Sequence, residues 1–381
     1  MGEHTLKILD SLADVDAEFW DRCATSDGTF NPFLAHAFLL ALEESGSATS
    51  ATGWQPFHIQ VADGDEPIGV VPLYVKGHSQ GEYVFDHSWA DAWHRAGGNY
   101  YPKLQSCIPF TPASGRRVLP VRNEPHLEEM LFGACAQVTG NVDVSSLHLT
   151  FLTEAQWERA GQMGYLRRMD QQYHWQNAGY TTFDEFLGEL TSKRRKNLRR
   201  ERRDALANGL EIEWLTGSDL KESHWDAFYR FYMDTGSRKW GRPYLSREFF
   251  SLINERFAEH TLLIMCRRDG QYVAGALNFI GSDTLYGRNW GCSEYHPFLH
   301  FEVCYYQAID FAIDRGLQMV EAGAQGQHKV ARGYQPRATY SAHWIKDAGF
   351  RDDVARYLED ERGYVEEEIE HVSQHTPFKK L

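Results

Sequence analysis

Fourteen residues, Glu321 to Tyr334, hold a carboxylate, an imidazole, a lysine, an arginine and three glycines. They begin where the apolar run LQMVEAG ends, and open α/β sheets usually hold ligands at such strand ends. Amide formation requires an acceptor amine to lose a proton and a tetrahedral oxyanion to be stabilised by cations or N–H donors. Glu321 or His328 is of the right type for the base. Lys329 suits the acyl oxygen or a leaving phosphate-ribose, and Gln325, Arg332 and Tyr334 suit substrate contacts. The competing reading is a glycine-rich surface turn with incidental polar groups.

Four further clusters carry chemistry-bearing side chains. Eight cations fall within the eleven residues 193–203, beginning Lys193, Arg194, Arg195. On a helix they cover nearly every face, and like charges four apart repel by a few tenths of a kcal/mol each. Either a phosphate-bearing ligand offsets that repulsion or the helix is solvated and paired with acidic residues. The loop Thr111–Arg117 ends in Ser114, Gly115, Arg116 and Arg117, types suited to a phosphate beside a helix N-terminus. A plain strand-to-helix turn explains it equally. The stretch 83–109 is dense in aromatic and polar residues, among them Asp86, His87, Tyr101 and Lys103, and reads as a wall that selects an acceptor. Its histidines and aspartates match no metal motif, and no HExxH is present, so no metal is expected. Finally, Arg288 and Asn289 sit on a strand-like run, TLYGRNWG, where they would border a substrate. Without GxSxG or a Cys/His pairing, a covalent acyl-enzyme is disfavoured.

The elements that must position these groups follow a grammar used twice. In the first half a helix, FLAHAFLLALEESG, precedes the strands PFHIQVA and IGVVPLYV, joined at Asp63-Gly64. A helix near 125–139, the strand SSLHLTFL, a helix and the strand RRMDQQYHWQ complete it. The second half has a helical zone at 182–208, the strand LEIEWL and a helix around 220–235. The strands TLLIMCRR and YVAGALNFIG then turn at Asp269-Gly270. A further strand, the helix FEVCYYQAIDFAIDRG and the strand LQMVEAG lead into 321–334. This pattern predicts an α/β chain with mixed sheets, in two tandem domains of 1–172 and 173–381. The second carries the basic helix 191–208 and an acidic C-terminal helix.

Four segments carry a family resemblance: GEYVFDHSWADAWHRAGGNYYPKL, IPFTPASGRRVL, LTSKRRKNLRRERRDALANGLEIEWL and LHFEVCYYQAIDFAIDRGLQMVEAGAQGQHKVARGY. With the duplicated element order, the chain resembles a tandem acyl-CoA N-acyltransferase (GNAT) fold and the FemAB-like predicted N-acyltransferases of peptidoglycan biosynthesis. The third segment is similar to a basic helix that ends in Gly and enters a strand in that family. The last is similar to its acidic-Gly strand end and Lys-x-x-[basic or aromatic]-Gly turn. The resemblance implies direct amide transfer in a ternary complex held between the domains, with Lys329 as its stronger catalytic carry-over. It implies aminoacyl-tRNA or acyl-CoA as co-substrate, no permanently bound cofactor, and a small-molecule or peptide amine as acceptor, a peptidoglycan precursor among them. The usual CoA-loop spacing is missing from 111–117, which favours charged tRNA. The contrasting expectation is a recognition module without turnover that binds cell-wall precursors or RNA.

Charge and composition narrow the field. Of 39 basic and 53 acidic residues, 1–190 holds 11 and 25, leaving 28 and 28 for the remainder, so the whole −14 belongs to the first half. Nonspecific polyanion binding, and DNA in particular, is therefore not expected, while one local anion site at 193–203 is. The six cysteines are scattered and read as reduced thiols. With no apolar run of about 20 residues and no basic-then-apolar leader, neither a membrane span nor secretion is expected, and the predicted location is the cytoplasm.

Overall fold

The structure, a computed structural model, describes residues 4–238, 243–323 and 326–379, with Ser237, Arg238 and Gln327 described by their backbone alone. The chain forms two compact units. One comprises Met1–Gln171 with Ala338–Glu368, the other Gln172–Arg337 with Ile369–Leu381. A single cut at 172/173 therefore misassigns 338–368. The chain crosses between units within the strands Leu166–Gln176 and Gln335–Ile345 and within the helix Ala348–Ser373, and no composition change marks these crossings.

In the first unit, His4–Leu9, His58–Asp63, Glu66–Val71 and Leu119–Pro120 form an antiparallel sheet. The turn after Asp63 uses Gly64 at φ 59°, where a side chain would be strained. Lys103–Ser106 runs parallel to Ser146–Leu152, with Leu104 opposite Leu147 and Gln105 opposite His148. The helix Pro125–Asn141 starts with proline at its first position, which needs no N–H there, and buries Leu127, Leu131, Phe132 and Cys135. These pack with Ile59, Val71, Leu147 and Leu149 into one core. Helix His87–Arg95 and strand Lys103–Ser106 lie inside what the sequence presents only as an aromatic stretch.

The second unit is a meander of Glu211–Thr216, Thr261–Arg268, Gln271–Ile280 and Thr284–Cys292. Asp269 (φ 52°) and Gly270 (φ 76°) both turn left-handed, as a two-residue hairpin needs. The short strand Met319–Glu321 inserts parallel to Thr284–Cys292 and antiparallel to the end of Leu166–Gln176. The expected helical zone at 182–208 is two helices, Phe183–Glu189 and Ser192–Ala205. The helix before Met319 is not regular: Leu299–Phe301 and Gln307–Asp314 are α-helical, but Glu302–Tyr306 between them forms a π-turn. Such bulges often occur at functional sites.

Candidate active site

Strand Met319–Glu321 delivers Glu321, 4% exposed, opposite His174 and beside Tyr286. Gly287 follows Tyr286, and a Cβ there would meet the Glu321 carbonyl oxygen at 3.3 Å, so glycine lets the two strands stay close. Arg288 and Asn289, half-buried, come next on that neighbouring strand, past the last residue that pairs with Met319–Glu321. Beyond the strand end, Gly326 (φ 114°) opens a 3₁₀ turn, Gln327–Arg332, and Gly333 (φ 91°) closes it. At these two positions glycine is required twice over. The conformation is left-handed, and a Cβ would lie 2.3 Å from the His328 ring or 2.5 Å from Phe186. Gln325 lies outside the described residues.

The turn brings Lys329, His328 and Arg332 together. Lys329 is 2% exposed, and its ammonium donates to the carbonyls of Ala322 (2.6 Å) and Gly323 (2.7 Å). Burial lowers its pKa to about 8, so near pH 7 it is a cation held in a largely dry place. His328 is exposed, with Nε2 3.0 Å from the Tyr305 hydroxyl. Burial of part of the ring, then the charges of Arg332 and Lys329, push its pKa below the ordinary value, leaving it neutral and able to accept a proton. Arg332 donates to the His328 carbonyl (2.8 Å) and to Glu201 (2.9 Å), and its guanidinium lies 3.4 Å over the Phe301 ring. Tyr334 is wholly buried edge-on to Tyr305, its hydroxyl without a hydrogen-bond partner among the described residues, so it supports the turn from beneath and is out of reach of a substrate. A buried cation, an exposed neutral imidazole and a carboxylate at one strand end are the groups that stabilising an oxyanion and moving an amine proton require.

The basic helix corrects one expectation. Consecutive helical residues point about 100° apart, so Lys193, Arg194 and Arg195 diverge and do not form one phosphate site. Arg195, Lys196, Arg199, Arg200 and Arg203 instead share one face, within about 140°, and line a surface groove with Ser192 and Asn197. Leu198 and Ala205 bury the opposite side. Arg202 also turns inward, bonding to Glu302 (2.9 Å) and Asp310 (2.6 Å) and lying 4.4 Å over Phe183. Burial disfavours the charges of Arg202 and Glu302, but their pairing holds the Arg202 pKa above its ordinary value. This pairing makes the π-turn carboxylate tolerable in a fully buried position.

The first-unit candidates are structural. Arg117 is fully buried and donates to the carbonyls of Thr150 (2.8 Å), Arg116 (3.0 Å) and Ala113 (2.7 Å). Arg116 donates to the Cys23 and Ala24 carbonyls and to the Ser26 hydroxyl, with Asp27 at 3.1 Å. The Gly115 N–H is given to the Phe151 carbonyl, and the Ser114 carbonyl accepts from Asn31. The loop is thus a brace, and its donors serve oxygens of the protein itself where a phosphate was expected. Likewise Lys103, fully buried, bonds Glu82 (2.7 Å) and Asp86 (2.5 Å). Asp86 accepts also from Tyr100 (2.6 Å), so neither Asp86 nor Lys103 is offered to a substrate. His87 is exposed and stacked on Phe85, and Tyr101 is tied to Ser79 at 2.8 Å.

No spacing or motif marks the histidines behind this cluster. His148 and His343 approach Nδ1 to Nδ1 at 2.7 Å, a contact with room for one proton, so one ring donates and the other accepts. Burial lowers the His148 pKa to about 3, pushes His343 well below its usual value, and lowers His174 of the second unit to about 3. The unfolded chain protonates all three near pH 6.5 while the native protein does not, so acid removes stability. Glu82, raised to about 7 by burial, has the opposite sign and offsets one of them. Calorimetric unfolding should therefore lose up to about 3 kcal/mol per pH unit between pH 6.5 and 5. A melting temperature that does not move over that range contradicts neutral burial of these rings.

Both units are mixed α/β, the fold class that the sequence predicts. Within that class, the chain belongs to the FemAB-like family, described as peptidoglycan biosynthesis/recognition, whose model matches residues 11–380. Among solved structures, it is similar to FemX, with 12% identity, a TM-score of 0.56 and coverage of 93% of this chain and 100% of that one. It is also similar to the C-terminal domain of a putative lysylphosphatidylglycerol synthetase from Agrobacterium fabrum: 10% identity, TM-score 0.54, coverage 90% and 95%. L-PGS from Bacillus licheniformis shares 11% identity at TM-score 0.50, with coverage of 84% and 96%. These likenesses are of fold. No curated protein matches the chain in sequence. Among the described residues, no helix is long and apolar enough to cross a membrane, and no three His, Cys, Asp or Glu side chains gather as a metal site needs.

Proposed function

We propose that the protein is a cytoplasmic N-acyltransferase that moves an acyl or aminoacyl group from an activated donor to an amine, the donor being aminoacyl-tRNA or acyl-CoA. The acceptor is a peptidoglycan precursor or another peptide or small amine. The observation that carries the reading is the buried Lys329 ammonium at the strand end, held on two carbonyls beside an exposed neutral His328. The amine nitrogen attacks the donor carbonyl carbon, and the tetrahedral oxyanion forms against Lys329. His328 takes the ammonium proton as the C–N bond forms. Collapse breaks the bond to the ribose oxygen or the thiolate, which leaves with that proton. Glu321 fixes the polar end of the strand, while Arg288 and Asn289 border the substrate. The groove-facing cations of the basic helix suit the donor's phosphates, whichever donor it is.

The test is to incubate the protein separately with charged tRNA and with acyl-CoA in the presence of candidate amines, lysine-containing peptides included. Amide formation is followed by mass spectrometry. Product from one donor supports the reading and names the donor. Binding of both donors without any product would favour a recognition module, and neither binding nor product would end the transferase reading.

A further inference from the structure

We infer that Glu201 is a positioning residue for the transfer site, fixing the His328–Lys329 turn through Arg332. It is the only acid among the eleven residues 193–203, a stretch whose other charges are all positive. At about 100° per residue it lies on the side away from the groove-facing cations, toward the unit's interior. There its carboxylate receives two donors, the Arg332 guanidinium at 2.9 Å and the Tyr306 hydroxyl from the π-turn. The same guanidinium donates to the His328 carbonyl, the oxygen of the peptide that leads into Lys329, and is flanked by Phe301. One carboxylate therefore joins three segments: the basic helix, the π-turn and the 3₁₀ turn.

The arrangement is strict because Arg332 is buried, at 6% exposed, and Glu201 is its one carboxylate among the described residues. The Arg332 Nε atom has no partner among the described residues. Removing the carboxylate leaves a buried guanidinium with one backbone acceptor, and such a group moves toward water rather than stay unpaired. The peptide it holds moves with it, and Lys329 then loses its fixed place on the Ala322 and Gly323 carbonyls. Burial keeps the Tyr306 phenol protonated, so it stays a donor. The π-turn is what brings Tyr306 within reach, since the extra residue per turn shifts the side chains that follow it.

This inference rests on Lys329 as the working residue, so its test includes a readout that needs no turnover. Acetic anhydride labels Lys329 in proportion to how freely the turn opens. Labelling at pH 8, read by peptide mass spectrometry and normalised to the exposed Lys221, is compared for the parent, Glu201→Ala, Glu201→Gln and Tyr306→Phe. Glu201→Ala should raise Lys329 labelling on the order of tenfold, and the other two about two- to threefold, because each keeps part of the junction. Where product is measurable, kcat of Glu201→Ala should fall on the order of 10²-fold with KM within about twofold, and Glu201→Gln should recover much of it. Folded Glu201→Ala that labels at the parent rate overturns the inference. Should that variant not fold, unchanged labelling in both Glu201→Gln and Tyr306→Phe overturns it, and a rise in either supports it. A parent that makes no amide from any donor would end the functional reading while the labelling still decides this one.

Discussion

Replacing Lys103 with Met should lower the unfolding free energy by about 3–5 kcal/mol without changing the KM of any substrate. The ammonium is fully buried between Glu82 and Asp86, and both carboxylates are buried as well. Burial alone would raise the Asp86 pKa, yet Lys103 holds it below the ordinary carboxylate range. Met fills the same space, so the expected loss comes from charge: two buried carboxylates face each other and, among the described residues, Lys76, 3.9 Å from Glu82, is the cation left to compensate. Burial has already lowered the Lys76 pKa to about 7, which makes it a poor substitute. Neutralising a carboxylate in the same molecule should return part of the loss, so Lys103→Met with Glu82→Gln is expected to be less destabilised than Lys103→Met alone. Urea unfolding of the singles and the double measures this directly. A change in KM with unchanged stability would instead restore Lys103 to a substrate-binding role.

The largest kinetic effect is expected at Lys329. Lys329→Met should reduce kcat by on the order of 10²–10³-fold, the usual consequence of losing a preorganised oxyanion partner. Stability should change little, since the ammonium is buried at a cost that lowers its own pKa to about 8. Met replaces the stem, and the Ala322 and Gly323 carbonyls lose one donor. The loss should appear in kcat and kcat/KM together, as expected for an interaction made in the transition state. A rise in KM alone would make Lys329 a substrate-binding group.

The parts of the fold read from sequence are those with a local cause. Asp269-Gly270 turns because both residues take positive φ, and Gly326 and Gly333 mark the active turn because no side chain fits there. The candidate site at 321–334 was legible for the same reason. Arg116 and Arg117 were misread because residue type does not tell whether an arginine's partners are phosphate oxygens or backbone carbonyls inside the fold. Asp86 and Lys103 meet across 17 positions through the packing of a helix against a strand, which no spacing encodes. Strand Gln335–Ile345 passed unread because it holds Pro336 near its start and buries the polar Thr339, Ser341 and His343 among its apolar residues. The sequence EVCYYQAIDF carries no mark of its π-turn, whose polar partners are tertiary: Glu302 accepts from Arg202, and the Tyr306 hydroxyl donates to Glu201.

In the proposed mechanism the cationic form of Lys329 carries the transfer. Single-turnover amide formation, with donor and acceptor saturating, tests it through its pH dependence in the parent and in Lys329→Met. A group whose pKa is lowered to about 8 is charged below that value and loses its proton above it. The parent rate should therefore fall as pH rises through about 8, and the slow Lys329→Met rate should show no such fall. Equal rates and parallel profiles for the two proteins would contradict the account.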